Sequence, residues 1–157
     1  MTKFGSVVDS PVGPVTIMAT DEFVTHILFG NHAGDLESND LIQRTSKEIS
    51  AYFKGSIKNF TIPLEPEGTD FQKKVWKALL EIPYGKTISY KELSLKLGDL
   101  KAIRAVGTAN GANPIAIVIP CHRVIGSNGE LTGYAGGLEI KKKLLEHENP
   151  SKQTSLF

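Results

Sequence analysis

Hydrophobic and polar positions alternate in short runs along the first third of the chain. Phe4 to Val8, Val15 to Ala19 and Val24 to Phe29 each read as a half-buried strand, and Ser10-Pro11-Val12-Gly13-Pro14 supplies a turn between the first two. Residues 30–39 are loop-like. The period then lengthens: Leu41, Ile42, Thr45, Ile49, Tyr52 and Phe53 recur at helical spacing, with Gly55 as the stop. Phe60, Ile62 and Leu64 alternate as a further strand. At Thr69 the character changes. Thr69 with Gln72 has capping-box spacing, and Phe71, Val75, Ala78, Leu79 and Ile82 predict one helical face. Ser89 with Glu92 opens a short helix that turns Leu93 and Leu97 inward, and Gly98 sits where a left-handed cap belongs. A helix resumes over 101–110, Asn113-Pro114 breaks it, and Ile115 to Ile119 reads as a strand ending at Pro120. The last helix, from Leu138, places Lys141, Lys142 and Lys143 outside and Leu138, Leu144 and Leu145 inside.

These elements predict an α/β architecture of the α+β kind. A small N-terminal domain of sheet plus helix spans 1–65, a mostly helical domain spans 69–149, and a tail spans 150–157. The helices around Gly98 form a helix-turn-helix candidate. Small residues crowd the second of them, Ala102-Ile103-Arg104-Ala105-Val106-Gly107-Thr108-Ala109-Asn110-Gly111, and let its backbone lie close against another surface, a packed helix or a ligand.

Composition narrows the class. Hydrophobic residues make up 40% and charged residues 22% of the 157, as in ordinary globular proteins. No apolar run approaches the ~20 residues of a membrane span, and Met1 to Ser6 lacks the layout of a secretion signal. One cysteine allows no internal disulfide, so a reducing, cytoplasmic setting is expected. Net charge is only +1, but residues 71–125 hold nine basic side chains against three acidic ones, whereas residues 1–62 hold five against seven. Such asymmetry orients a protein on a polyanion. A solvated helix face produces it too.

That lone cysteine, Cys121, lies in Ile119-Pro120-Cys121-His122-Arg123-Val124. Only a thiolate is nucleophilic, so a neighbour must take the proton. A buried cysteine often just fills space, yet His and Arg do not suit a core without partners. The pattern points to a polar pocket floored by apolar chain. His26 and His32 have no metal-ligand companions in sequence.

Taken together, Phe71 to Trp76, Ile82-Pro83-Tyr84-Gly85, Ser89-Tyr90, Arg104-Ala105-Val106-Gly107, Asn113-Pro114, the Pro-Cys-His-Arg core and Tyr134-Ala135-Gly136-Gly137-Leu138 resemble the O6-alkylguanine-DNA alkyltransferases, also called methylated-DNA-protein-cysteine methyltransferases. The resemblance covers most of 69–148; residues 1–65 match in layout only. It implies direct reversal of DNA damage, with Cys121 accepting the alkyl group from guanine O6 once and irreversibly. It implies His122 as base, through a water, held by Glu148; Asn113 as a brace for the turn; and Tyr90 as proton donor toward guanine N3. Guanine would meet the carbonyls of Cys121 and Val124 and the amides of Tyr134 and Ala135. The second helix would enter the minor groove of double-stranded DNA through Ala102, Ala105, Gly107, Thr108 and Gly111, assisted by Arg123, while Arg104 fills the space of the flipped nucleotide. No cofactor and no metal are implied, and the protein would act as a monomer away from membranes, with O4-alkylthymine left open as a substrate.

Ala135 departs from the serine that many members carry, and Gly111 replaces a residue that is often larger or basic. Two rivals remain: a cysteine hydrolase built on Cys121, His122 and Glu148, and a helix-turn-helix module that binds alkylated DNA without chemistry. Turnover separates the first from a single-use acceptor. A covalent mass change separates the second.

Overall fold

The computed structural model describes residues 3–129, 134 and 136–150. Its backbone groups into two units, one running to Glu67 and taking in Pro114–Val118, the other made of Gly68–Asn113 and the chain from Ile119 onward.

In the first unit β1 (Phe4–Val8), β2 (Val15–Ala19) and β3 (Val24–Phe29) form an antiparallel sheet with β2 central. Alternation buries Val15, Ile17 and Ala19 on one side of β2. Thr16 is buried as well, because its hydroxyl donates to Gly30 O (2.6 Å) and accepts from His32 N (2.8 Å). Helix α1 (Asp40–Phe53) packs on β1 and β2 through Leu41, Ile42, Thr45, Ile49 and Tyr52, the stripe its period predicts. Asn39 caps it by accepting from Ile42 N at 2.9 Å, an interaction of about 1 kcal/mol.

Two expected strands do not form. Around Phe60, Ile62 and Leu64 only Leu64 pairs, as a single parallel bridge to Val24. Pro63 and Pro66 flank it without N–H groups to extend the ladder. The run from Ile115 to Ile119 likewise pairs only at Ile115, with Ile27. Ile117 then takes φ +71°, and Val118 N bonds Ala116 O at 2.8 Å, which closes a γ-turn. A β-branched residue at positive φ is strained, at a cost of order 1–3 kcal/mol. Burial of Ile117 to 1% exposure offsets it.

The second unit is mostly helical. Helix α2 (Asp70–Leu79) starts with both arms of the Thr69/Gln72 capping box in place. Phe71, expected inside, is 39% exposed. The buried stripe of Val75, Trp76 and Leu79 is centred about a quarter turn from it, because Trp76 turns in to donate from Nε1 to Ala109 O (2.8 Å). Strand β4 (Ile88–Ser89) leads into α3 (Tyr90–Lys96), which buries Leu93 and is capped by Ser89 and Glu92. At its end Gly98 N bonds Leu95 O and Asp99 N bonds Ser94 O, a Schellman closure that needs the φ of +85° adopted by Gly98. A 3₁₀ turn at Leu100–Ala102 precedes α4 (Ile103–Gly111), which packs on α2 and α3.

The cysteine therefore lies on a turn and not at a strand end. Cys121 N bonds Ile119 O (2.8 Å) around Pro120, and Cys121–Arg123 forms a single 3₁₀ turn. Strand β5 (Val124–Ile125) follows and pairs in parallel with β4, a pairing the short segments gave no sign of. Helix α5 (Leu138–Glu148) closes the unit and packs on the 3₁₀ turn. Lys141, expected outside, is fully buried there.

Candidate functional site

Helix α5 ends at Glu148, and this carboxylate organises the site. Its Oε2 accepts from His122 Nε2 at 2.7 Å and from Arg123 Nη2 at 3.0 Å, while Oε1 accepts from Arg123 Nε at 2.8 Å and from Gly85 N at 3.4 Å. Gly85 suits this approach for two reasons. Its φ is +78° in the turn closed by Lys86 N to Pro83 O, and a Cβ there would lie 3.2 Å from Glu148 O. Burial pushes the Glu148 carboxyl up, but the hydrogen bonds and charges of His122 and Arg123 outweigh it and hold the group well below the usual carboxylate range. Glu148 is therefore ionised.

Arg123 was grouped with the DNA contacts, but its side chain points inward. At 8% exposure it forks onto Glu148, and Nη1 donates to Ile82 O (2.6 Å). A guanidinium with these donors engaged serves the site's own structure, not a phosphate. Its charge balances Glu148, so burial and the positive charges of Arg123 and Lys141 keep His122 neutral, with its pKa lowered despite the bond to Glu148. Because the ionised carboxylate accepts at Nε2, that nitrogen carries the proton and Nδ1 is left as an acceptor.

Cys121 is 6% exposed. Burial pushes its thiol up, and a hydrogen bond from the Asn113 side chain, the charge of Lys141 and a hydrogen bond from Tyr134 act in the opposite sense. Asn113 also donates from Nδ2 to Ile119 O at 2.8 Å, so one amide fixes both the turn and the sulfur. The sequence suggested neither Lys141 nor the Tyr134 hydroxyl. Nζ of Lys141 donates to Val124 O at 2.7 Å and sits 5.9 Å and 6.0 Å from the ring centres of Tyr90 and Tyr134. Desolvation lowers its pKa to about 8, against the pull of Cys121. A spacing of three and four residues puts Lys141 on the same helical face as Leu144, Leu145 and Glu148, which was the signal available for it.

The remaining expected residues fall into two groups. Arg104, Ala105, Thr108 and Gly111 share the exposed side of α4, with Ala102 and Gly107 half-buried. Tyr90 lies against Gly107, whose added Cβ would be 3.9 Å from its ring. Val124 is buried next to the cysteine turn and Tyr134 is half-buried. Ala135 lies outside the described residues. Among the described residues no three His, Cys, Asp or Glu side chains gather to hold a metal ion, and no helix is long and apolar enough to cross a membrane.

A thiol beside an imidazole that a carboxylate orients, in a unit whose helix-turn-helix presents small residues outward, defines a helix-turn-helix protein with a base-supported cysteine nucleophile. Comparison with known proteins sharpens this. Residues 70–150 match the DNA-binding domain of 6-O-methylguanine DNA methyltransferase, and residues 4–66 match the ribonuclease-like domain of the same family. The methylated-DNA-protein-cysteine methyltransferase of Methanosarcina barkeri is 48% identical over 149 residues, which cover 90% of this chain and 94% of that one. The crystal structure of Mycobacterium tuberculosis O6-methylguanine methyltransferase aligns with a TM-score of 0.87 at 41% identity, covering 99% and 98% of the two chains. A structure of the M. tuberculosis protein in complex with DNA aligns with the same TM-score at 42% identity over 96% and 95%. The chain belongs to the 6-O-methylguanine DNA methyltransferase family.

Proposed function

We propose that this protein repairs DNA by direct reversal, moving the alkyl group from O6 of guanine to Cys121 in one displacement. The observation that carries this reading is the polar setting of one buried sulfur: Asn113, Tyr134 and Lys141 favour its anion, and the adjacent His122 is tied to an ionised Glu148.

The steps follow from those groups. The thiol proton passes through a water to Nδ1 of His122, and Glu148 stabilises the imidazolium. The thiolate attacks the O6-bound carbon in line; the S–C bond forms as the C–O bond breaks, and the electron pair leaves on guanine. Tyr90 supplies a proton to N3 of the departing base. Carbonyls of Cys121 and Val124, with the amides of Tyr134 and Ala135, hold the base. The resulting thioether has no electrophilic carbonyl for water to attack, so each molecule acts once.

To reach the sulfur the nucleotide leaves the stack. The exposed small residues of α4 suit close approach to a minor groove, and Arg104 takes the vacated place, offsetting a few kcal/mol of lost stacking. We assign the protein to a reducing cytoplasmic setting as a monomer, with Ala102, Ala105, Gly107, Thr108 and Gly111 against the groove.

Intact-mass measurement after incubation with duplex DNA carrying O6-methylguanine tests the reading. One methylene unit gained on the peptide containing Cys121, at one per protein, is expected. An unmodified Cys121 with DNA bound refutes it, and so does release of many products per molecule.

A further inference from the structure

Two buried polar atoms in the second unit, Asn110 Oδ1 and His122 Nδ1, have no hydrogen-bond partner among the described residues. Such atoms are rare in native proteins, and each calls for an explanation. Both belong to the cysteine turn. His122 follows Cys121 directly, and Asn110, 1% exposed near the end of α4, donates from Nδ2 to Cys121 O at 3.4 Å. The amide cannot be turned round, since Oδ1 would then face that carbonyl oxygen.

Resting on the reading above, we propose that Asn110 is a positioning residue for the proton relay: its Oδ1 anchors the water that carries the Cys121 proton to His122. The donor and acceptor count closes. A buried water makes about three hydrogen bonds. Here it donates one O–H to Nδ1 of His122, donates the other to Oδ1 of Asn110, and accepts from the thiol. With Oδ1 holding one O–H, only the other can be passed on. When the thiol proton arrives, the bond to Nδ1 hands over its proton and the water is regenerated. Asn113 cannot fill this place, because its Nδ2 already bonds Ile119 O and its side chain bonds the sulfur. The titratable groups around His122 are Glu148 and Lys141 from α5, Arg123 and Cys121 from its own turn, and Tyr134 by the sulfur.

The test avoids DNA, so it can fail independently of the repair reading. Alkylation of Cys121 by iodoacetamide is followed by mass between pH 6 and 10 in wild type, Asn110→Leu, Asn110→Ala, Asn110→Asp and His122→Ala, with thermal unfolding read alongside. Asn110→Leu removes the anchor and is expected to slow alkylation about tenfold at pH 7, the weight of one typical hydrogen bond. Its curve rejoins wild type near pH 10, where hydroxide takes the proton directly. The same change in a His122→Ala background has no further effect. Asn110→Asp, buried as the neutral acid, keeps an acceptor and a donor and stays within about threefold of wild type below neutral pH. Loss of a buried unpaired oxygen leaves the melting temperature of Asn110→Leu unchanged or raised; if the leucine does not fold, Asn110→Ala is read by the same criteria. A deletion variant with the wild-type pH profile, equal slowing at every pH, or an added loss in the His122→Ala background overturns the proposal. Methyl transfer from O6-methylguanine DNA to the wild-type protein reports separately on the repair reading.

Discussion

Replacing Glu148 by Gln isolates the charge on which the site is built. Four described hydrogen bonds converge on this carboxylate, two from Arg123 and one each from His122 and Gly85. Glutamine keeps the shape but supplies one acceptor oxygen, points an NH₂ at donors, and leaves the guanidinium of Arg123 buried without its counter-charge. Breaking a buried pair in this way costs about 3–5 kcal/mol. At the roughly 2–4 °C per kcal/mol expected for a chain of this size, the melting temperature should fall by about 10 °C. The pH dependence carries a sign as well. The carboxyl is held well below its unfolded value, so its stabilisation is complete above the unfolded pKa of about 4.3 and is lost as pH falls toward the folded one. Wild type should therefore lose stability steadily below about pH 5, and Glu148→Gln should show a shallower acid slope. Methyl transfer should fall by about a hundredfold or more, because the imidazolium loses its partner. Melting curves between pH 3 and 7, with single-turnover transfer, make the check. A variant that melts like wild type with an equal acid slope would refute the view that this carboxylate is the hub.

Other sites offer independent checks. Cys121→Ala should abolish transfer and leave lesion-DNA binding intact in a filter or anisotropy assay; retained transfer would remove Cys121 from its role. Lys141→Met should remove a buried cation whose pKa is lowered to about 8. A lysine lowered in the fold gives stability that rises with pH between the folded value and about 10.4, so wild type should gain in that window and the variant should not, while transfer near pH 7 slows. Trp76→Phe should lose the bond to Ala109 O and leave that carbonyl unpaired, costing about 1–3 kcal/mol in denaturant melts.

Local periodicity was enough for the first sheet and α1, whose buried positions are those of the two- and 3.6-residue patterns. Capping boxes at Thr69 and Ser89 gave the starts of α2 and α3 because both arms lie within four residues. The readings that failed depended on distant partners. Ile115 to Ile119 has strand composition, but its ladder partner is a single residue of β3, and the φ of Ile117 follows from the surrounding packing. Three consecutive lysines suggested a solvated face, although helical phase puts Lys141 beside Glu148. Arg123 looked like a phosphate ligand until Glu148, 25 residues on, was seen to fill its fork. Asn110 gave no local sign, since its importance lies in atoms that only the folded turn brings near the sulfur.

The γ-turn at Ile117 has a mechanical consequence. It works as a latch: the torsion at this one bend could relax toward ordinary backbone only by drawing a large aliphatic side chain out of its packed bed. Glycine would remove the tension and the grip together, so the nucleophile, four residues downstream, would ride on a looser tether and spend less time aimed at its target.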